Sequence, residues 1–307
     1  MTDNSKFKIA IIGLGKIAQK AYLPILTNHS KVEPILCTRN SETLAKLSSQ
    51  FRIGKTYSHL DELIQAKPDA AMVHSSTESH MLIVSKLLRA KIPVFVDKPL
   101  SYSLEEAEKI LNLAITNKQI LYLGFNRRFA PLVNLLSKES NPIQIFWQKN
   151  RVNLPDDPRV YIFDDFIHVI DSLRFLAEGS IKNINVFSKI SDGKLENIQV
   201  QWQQNETLLS GGMNRVSGLT EETIEYYNKG NKWLINDLDK GVHFTEEGQT
   251  ALKFDNWEST LYKRGFVDLI DDWIKVLEVG KFKSDTIEDI WETHHLCESI
   301  VNKVINS

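Results

Sequence analysis

The first 125 residues alternate between short apolar runs and longer segments of helical periodicity. We predict strands over Phe7–Ile12, Val32–Cys37, Ala70–His74, Val94–Val96 and Leu121–Phe125. The predicted helices cover Ala18–Leu26, Ser41–Phe51, Ser79–Ala90 and a segment that begins after Ser103. Short apolar strands that alternate with helices are typical of a parallel sheet covered on both faces. The N-terminal part is therefore predicted to be a doubly wound α/β domain.

The hydrophobic pattern changes after about Asn126. A helix is predicted over Pro131–Ser137, a strand over Ile143–Trp147 and a long helix over Phe163–Leu176. From Ile184 to about Phe254, strand-like runs alternate with Asp-Gly, Gly-Gly and Lys-Gly turns, a pattern that favours an antiparallel sheet. Two helices follow, near Leu261–Leu277 and Thr286–Ile305. We therefore predict an α/β fold class with two domains: a doubly wound parallel-sheet domain over residues 1–124 and an α+β domain with a mainly antiparallel sheet over residues 125–307.

Composition restricts the classes of function. The formal net charge is -2 and no basic stripe with interleaved aromatic residues occurs, so the chain lacks the features of a nucleic-acid-binding protein. No apolar run approaches the roughly 20 residues needed to cross a bilayer, and the first residues contain no apolar signal region. The two cysteines, Cys37 and Cys297, form no disulfide framework. We expect a cytoplasmic protein with no membrane or nucleic-acid partner.

A glycine motif follows the first predicted strand and opens the first predicted helix. Gly13-Leu14-Gly15-Lys16-Ile17-Ala18 matches G-x-G-x-x-A, the fingerprint of a dinucleotide site. In such a site Gly13 permits the tight turn, Gly15 lets the backbone approach a pyrophosphate, and Ala18 allows close helix packing. We therefore assign Gly13, Gly15, Lys16, Ile17 and Ala18 to cofactor binding. The alternative is a strand–helix turn that binds no nucleotide.

The end of the second strand bears on the choice of cofactor. A site that prefers NAD usually places an acidic residue here to accept the ribose hydroxyls. Cys37-Thr38-Arg39-Asn40 contains no acid, and Thr38 and Arg39 could instead bind a 2′-phosphate. The sequence thus favours NADP over NAD, with a solvated Arg39 as the alternative.

Lys98 lies where the strand Val94–Val96 ends. Pro99 cannot continue the strand, and it restrains the backbone of the residue before it. The carboxyl ends of such strands are where open α/β sheets bind ligands. Lys98 is therefore a candidate for catalysis, although a lysine at a strand end is commonly a solvated surface charge.

The helix Phe163–Leu176 carries a second set of polar residues. Phe166, Ile170, Leu173 and Ala177 share one face, whereas Asp164, His168 and Asp171 fall at i, i+4 and i+7 on the other. Oxidation of a carbinol needs a base for the hydroxyl proton, and the imidazole of His168 could be that base. A neighbouring carboxylate would orient the imidazole and stabilise its charged form. The alternative is a solvated helix face. A metal site is not expected at His294, His295 and Cys297, because adjacent helical residues point about 100° apart.

Taken in order, these motifs resemble those of the Gfo/Idh/MocA oxidoreductases. The resemblance rests on Gly13–Ala18, Ser76-Thr77-Glu78-Ser79-His80, Val96-Asp97-Lys98-Pro99-Leu100, Gly124-Phe125-Asn126-Arg127-Arg128-Phe129 and the helix with Asp164, His168 and Asp171. The sequence around His168 is most similar to that of the MviM-type branch, whose members are also called virulence-factor homologues. The resemblance implies a Rossmann domain, a C-terminal sheet domain, and NAD(P) and substrate bound in the cleft between them.

The resemblance also implies roles for single residues. Lys98 matches the family's Lys-Pro lysine, His168 its catalytic histidine and Asp164 its helix aspartate. Additional cofactor contacts are expected from Ser76, Thr77, His80, Asp97 and Lys98, although His80 could equally cap or pack. Two departures occur: Asp97 replaces the usual glutamate, and Phe166 stands where many members have glycine, which suggests a narrower substrate pocket.

The predicted function is NAD(P)-dependent hydride transfer to or from a carbinol or carbonyl of a small polar substrate, such as a sugar or cyclitol derivative. His168 would transfer the proton, Lys98 would polarise the substrate oxygen and Asp164 would orient His168. One alternative is a non-catalytic NAD(P)-binding regulator or scaffold; another is a reductase of a different substrate class, such as tetrapyrroles. We expect a homo-oligomer, either a dimer or a tetramer.

Overall fold

The computed structural model describes residues 6–306 and divides into two compact units. The first unit comprises the residues up to Gly124 together with Val267–Glu292. The second comprises Phe125–Phe266 and the residues from Thr293 onward. The first boundary between the two units falls between residues 124 and 125.

The first unit contains a parallel sheet of six strands. The strands are β1 (Phe7–Ile12), β2 (Val32–Cys37), β3 (Thr56–Tyr57), β4 (Ala70–Val73), β5 (Val94–Val96) and β6 (Leu121–Leu123). Their order is β3-β2-β1-β4-β5-β6, and every neighbouring pair is parallel. The strand order reverses between β1 and β4, which is the switch point where doubly wound sheets bind ligands. The predicted doubly wound sheet is confirmed.

Helices connect these strands. They cover Ala18–Leu26 (a π-helical turn to Tyr22, then an α-helical turn), Ser41–Phe51, Leu60–Gln65, Thr77–Ser79 (a 3₁₀ turn), His80–Arg89 and Leu104–Asn117. Two of them begin at a side-chain cap: Asn40 accepts the N–H of Thr43, and Ser103 accepts that of Glu106. The pattern of apolar residues did not predict β3 or the helix Leu60–Gln65, because both are shorter than the windows in which periodicity is readable.

The helix Phe266–Val279 was assigned from sequence to the second domain, but from Val267 onward it belongs to the first unit. The Trp273 ring lies 5.9 Å from that of Phe95 and 5.5 Å from that of Tyr122. The Tyr122 hydroxyl donates to Asp272 at 2.7 Å. The apolar stripe of this helix predicts that one face is buried, but a stripe does not identify its partner, and here the partner is β5 and β6.

The second unit is built on a sheet of eight strands. They are β7 (Gln144–Asn150), β8 (Ile181–Ser191), β9 (Lys194–Gln204), β10 (Thr207–Asn214), β11 (Glu221–Asn228), β12 (Asn231–Asn236), β13 (Lys240–Thr245) and β14 (Gly248–Lys253). Their order is β14-β13-β12-β11-β7-β10-β9-β8, and only β7 and β10 pair in parallel. The expected mainly antiparallel sheet is confirmed.

The helical segments of this unit include the one predicted to be catalytic. They cover Asn126–Phe129 (3₁₀), Pro131–Leu136, Pro158–Val160, Tyr161–Phe166 (a π-helical turn), Ile167–Leu176 and Thr260–Lys263; the final helix, Ser284–Ile305, contributes residues to both units. Ile167–Leu176 packs on β7 and β10. The approach is close at Gly211, where an added Cβ would lie 2.8 Å from Val169 and 3.0 Å from Leu173. Across residues 6–306, no helix is long and apolar enough to span a membrane.

Candidate active-site residues

The glycine motif forms a tight turn directly after β1. Gly13 adopts a φ of +85°, and a Cβ at this position would lie 2.5 Å from the backbone nitrogen of Ser75. Its own N–H donates to the carbonyl of Cys37 at 3.0 Å. Only glycine fits here, because both the positive φ and the close approach of the loop after β4 exclude a side chain.

The remaining motif residues fit a dinucleotide pyrophosphate. Gly15 is exposed, and no heavy atom would lie within 4 Å of a Cβ added to it. Lys16 and Ile17 are exposed in the first helical turn, whereas Ala18 is fully buried beneath it. The backbone at Gly15 is therefore open to a ligand, and the helix that starts beside it offers N–H donors and positive potential.

Thr38 and Arg39 lie just beyond the carboxyl end of β2. Thr38 is half-buried and its N–H donates to the carbonyl of Tyr57, which fixes the backbone of the turn. Arg39 is exposed. Asn40 then caps the next helix, so no carboxylate occurs between the end of β2 and that cap.

The loop after β4 contains Ser76 and Thr77, which open a 3₁₀ turn, Ser76 being exposed and Thr77 half-buried. His80 follows and is only 1% exposed. Its Nδ1 lies 3.0 Å from the carbonyl oxygen of Pro99, and its Nε2 lies 3.2 Å from that of Ser75. Burial lowers the pKa of His80. His80 therefore links the backbones of the loops after β4 and β5, a contact that matches the packing alternative for this residue.

Asp97 and Lys98 follow β5. The backbone N–H of Lys98 donates to Oδ1 of Asp97 at 2.9 Å, and the carboxylate also lies 3.7 Å from Nδ1 of His74. Burial raises the pKa of the Tyr22 hydroxyl well above its ordinary value, and the neighbouring Asp97 raises it further. The Lys98 side chain is half-buried, and the peptide bond to Pro99 is cis. The carboxylate of Asp97 thus holds the backbone on which Lys98 is presented.

The catalytic helix begins with a π-helical turn, Tyr161–Phe166, before it becomes α-helical at Ile167. Asp164 is exposed, and His168 is buried with 7% exposure. Phe166 is fully buried, and its ring reaches to within 3.7 Å of a Cβ built on Gly211. Phe166 therefore packs between helix and sheet.

A guanidinium contacts His168. Nη1 of Arg127 lies 3.1 Å from Nε2 of His168, a contact that the sequence did not predict. Arg127 is clamped by Glu222, which accepts from its Nε at 3.3 Å and its Nη2 at 3.1 Å. Trp147 donates its indole N–H to the same carboxylate at 3.0 Å.

The other carboxylate of the predicted face, Asp171, is almost completely buried. Its oxygens accept from Nε and Nη2 of Arg128 at 2.9 and 2.5 Å and from the hydroxyl of Thr293 at 3.1 Å. This pairing was not predicted, because Arg128 and Thr293 are distant from Asp171 in sequence. Asp171 serves as the anchor of Arg128.

A buried charge cluster lies beside the helix, centred on Asp165. This carboxylate accepts from Lys149, from Arg151 at 3.0 and 3.2 Å, and from Arg215 at 3.3 Å. Burial alone would raise the pKa of Asp165, but Lys149 and Arg151 hold it well below its ordinary value. Burial lowers the pKa of Lys149 to about 7, and Arg127 contributes to the decrease. The cluster was missed from sequence.

One signal for this cluster was present in the sequence. Ile145, Trp147 and Lys149 alternate along β7 and all three are buried, so the two-residue period of a strand places Lys149 inside. A lysine at an inward position of a strand is expected to have a buried carboxylate partner. The identity of the partner could not be predicted, because Asp165 lies on a helix.

Comparison with known proteins covers most of the chain. Residues 7–125 match the family model described as "Oxidoreductase family, NAD-binding Rossmann fold", and residues 133–246 match the model of the YceM-like C-terminal domain. YceM of Salmonella typhimurium is 32% identical over 268 residues, which are 85% of this chain and 86% of that protein.

Solved structures give the same result. The crystal structure of a Gfo/Idh/MocA family oxidoreductase from Vibrio cholerae is 34% identical, with a TM-score of 0.93 over 98% of this chain and 99% of that chain. The dehydrogenase MviM from Clostridium difficile is 29% identical, with a TM-score of 0.89 over 97% and 99%. The suspected relation to the MviM type is consistent with these matches. The chain therefore belongs to the Gfo/Idh/MocA family of oxidoreductases, and its first domain is of the NAD-binding Rossmann type.

Proposed function

We propose that the protein transfers a hydride between a nicotinamide dinucleotide and a carbinol or carbonyl carbon of a small polar substrate, such as a sugar or cyclitol derivative. The proposal rests on the loops that follow the carboxyl ends of β1, β4 and β5. These loops lie in one unit. They contain Gly15, whose backbone is open to a ligand, the N-terminus of a helix, and Lys98, whose backbone N–H is held by Asp97. When bound, the nicotinamide supplies or accepts the hydride.

Lys98 is proposed to polarise the substrate oxygen. An ammonium hydrogen-bonded to this oxygen stabilises the negative charge that develops on it as hydride leaves or arrives at carbon. Asp97 supports this role by holding the Lys98 backbone N–H, so the side chain starts from a fixed point.

His168 is proposed to move the hydroxyl proton, and Asp164 to orient the substrate or the imidazole from the preceding turn. Imidazole exchanges a proton close to neutral pH, which suits a reversible carbinol oxidation. Asp164 is exposed, so its carboxylate is accessible to a polar ligand. These polar residues suit a carbinol substrate better than a large apolar ring such as a tetrapyrrole.

NADP is the proposed cofactor, with NAD as the alternative. The support is the absence of a carboxylate between the end of β2 and the helix cap Asn40, together with the exposed guanidinium of Arg39. A 2′-phosphate would gain a charge-assisted hydrogen bond there, whereas a ribose hydroxyl would lack its usual acceptor.

We also propose that the protein forms a homo-oligomer through its second sheet. Large apolar side chains are exposed on or beside this sheet, at Ile143, Phe187 and Leu208 with 54, 65 and 53% exposure. Exposed apolar area of this kind is typical of a surface that becomes covered by another protein. Light scattering after size-exclusion chromatography would test this; a strictly monomeric protein at micromolar concentration would contradict it.

The experiment that tests the function is a screen of sugars and polyols with NADP⁺ and NAD⁺, read as appearance of reduced cofactor. We expect turnover with at least one carbinol, and more with NADP⁺ than with NAD⁺. Titration with NADPH and NADH, followed by fluorescence, is run in parallel. Binding without turnover across the library would favour the alternative, a non-catalytic NAD(P)-binding scaffold or regulator, and no binding would contradict the cofactor site itself.

A further inference from the structure

We propose that Arg127 is a positioning residue that holds His168 as a neutral imidazole with its proton on Nδ1. The distance between Nη1 of Arg127 and Nε2 of His168 is 3.1 Å. A guanidinium carries only donors and stays charged at any pH the protein survives. Nε2 must therefore be the acceptor, and in a neutral imidazole the remaining proton then resides on Nδ1.

Arg127 is fixed by partners that use its other donors. Glu222 accepts from Nε and Nη2, and the side-chain oxygen of Asn126 accepts from Nη1 at 3.2 Å. Arg127, Glu222 and His168 are each 7% exposed, so water does not compete freely for these hydrogen bonds. Burial alone would raise the pKa of Glu222, but Arg127 and Lys149 hold it at about 2. The clamp on Arg127 is therefore charged over the whole neutral range.

Protonation of His168 would disrupt this arrangement. An imidazolium carries N–H groups at both nitrogens, so its Nε2 proton would face an N–H of Arg127. The imidazolium would then have to move away from Arg127. Otherwise two N–H donors, each on a cation, would point at each other. We therefore expect His168 to accept a proton less readily than it would with Arg127 removed.

Charged groups lie on several sides of the helix of His168. The titratable groups on the helix or facing it from neighbouring segments include Arg127, Arg128, Lys149, Tyr161, Asp164, Asp165, Asp171, Arg174, Glu222, His294 and Cys297. β10, which also packs there, carries none. Three of the four carboxylates are held by arginine or lysine: Asp165, Asp171 and Glu222. The fourth, Asp164, is exposed.

The tautomer has a consequence for the reaction, which rests on the role of His168 in the proposed function. In this state the lone pair of the ring that can accept a proton, the one on Nε2, is occupied by the hydrogen bond from Arg127. This basic lone pair becomes available for a hydroxyl proton only when the bond to Arg127 breaks. Arg127 thus covers the basic nitrogen of His168 for as long as their hydrogen bond persists.

Nuclear magnetic resonance of the full-length protein with ¹⁵N-labelled histidine tests the tautomer without any substrate. Long-range ¹H–¹⁵N correlations distinguish protonated from unprotonated ring nitrogens, and a His168→Gln variant assigns the signals. We expect Nδ1 of His168 to be protonated and Nε2 unprotonated at pH 8. In a variant with both Arg127→Met and Glu222→Gln, which removes the guanidinium and its buried carboxylate together, we expect a shift towards the Nε2-protonated form and a titration midpoint at least half a pH unit higher.

A matched control removes the neighbouring pair with Arg128→Met and Asp171→Asn, which leaves Arg127 and Glu222 intact. It should keep the tautomer of the unmodified protein. Arg127→Lys, which keeps a cationic donor, provides a milder second variant and should retain an unprotonated Nε2. The proposal is overturned if Nε2 carries the proton in the unmodified protein, or if the tautomer is the same after Arg127 is replaced by Met. Neither result depends on turnover, so failure of the proposed function would be seen separately in the substrate screen.

Discussion

Asp164 and Asp165 are adjacent in the chain but occupy opposite environments. Asp164 is exposed, whereas Asp165 accepts from Lys149, Arg151 and Arg215. The π-helical turn Tyr161–Phe166 contains both residues and immediately precedes the helix of His168. One carboxylate of the pair is therefore exposed to solvent, and the other anchors the turn to the sheet.

Replacement of Asp165 by Asn should destabilise the protein by about 3 kcal/mol or more, because three buried or half-buried cations lose their only shared carboxylate. Urea unfolding of the two single variants measures the difference. Asp164→Asn is the matched control, since it makes the same chemical change on an exposed side chain and should alter stability by less than about 0.5 kcal/mol. Equal unfolding midpoints for both variants would contradict the structural role of Asp165.

Lys149 should make stability depend on pH above neutrality. Its pKa of about 7 in the folded protein lies below the ordinary value of 10.5, so between these pH values the unfolded chain binds the proton and the folded chain does not. The free energy of unfolding should therefore rise with pH across this window, by several kcal/mol in order of magnitude.

Lys149→Met should abolish this rise. The variant keeps Asp165 compensated by Arg151 and Arg215, so it is expected to fold. Lys194→Met removes an exposed lysine of the same sheet and serves as the control. Parallel pH profiles for Lys149→Met and the control, measured by urea unfolding from pH 7 to 10, would refute the assignment.

Gly15→Ala should separate cofactor binding from folding. A Cβ at Gly15 meets no protein atom, so the free energy of unfolding should change by less than about 1 kcal/mol. A pyrophosphate that approaches the backbone at Gly15 would meet the added methyl group, and the dissociation constant for NADPH should rise at least tenfold. Gly218→Ala, also placed in open space, is the control for the substitution itself. Unchanged NADPH affinity would place the dinucleotide elsewhere.

Arg39→Ala should reduce the preference for NADPH over NADH. A guanidinium that contacts a 2′-phosphate contributes only to NADPH binding, so we expect a loss of about tenfold for NADPH and little change for NADH. Lys46→Ala removes one exposed positive charge from the helix that follows and controls for net charge. An equal effect of Arg39→Ala on both cofactors would show that Arg39 does not select between them.

The elements that could be predicted from sequence are those whose pattern is local. β1, β2, β5 and the helix Ser41–Phe51 have the predicted bounds, because their apolar runs end at turn or cap residues. The glycine motif was predictable for the same reason. Contacts between residues distant in sequence were not predictable. The contacts of Arg127 with His168 and of Asp165 with Arg215 join segments whose pairing depends on the register of the sheet.

The helix of His168 shows where periodicity is insufficient. An α-helical spacing places Asp164, His168 and Asp171 on one face and suggests a shared environment. In the structure the π-helical turn ends at Phe166, Asp164 is exposed, and Asp171 is buried with Arg128. The residue type at each position was predictable, but the contact of the imidazole with Arg127 was not.

Lys98 is proposed to act in hydride transfer and not merely to border the cofactor. Lys98→Met, assayed with the best carbinol from the screen, tests it most directly, with Lys109→Met as an exposed control of equal charge. We predict that Lys98→Met binds NADPH within about threefold of the unmodified protein and loses at least a hundredfold in kcat, equivalent to about 3 kcal/mol of transition-state stabilisation. Turnover equal to that of the control would contradict the account.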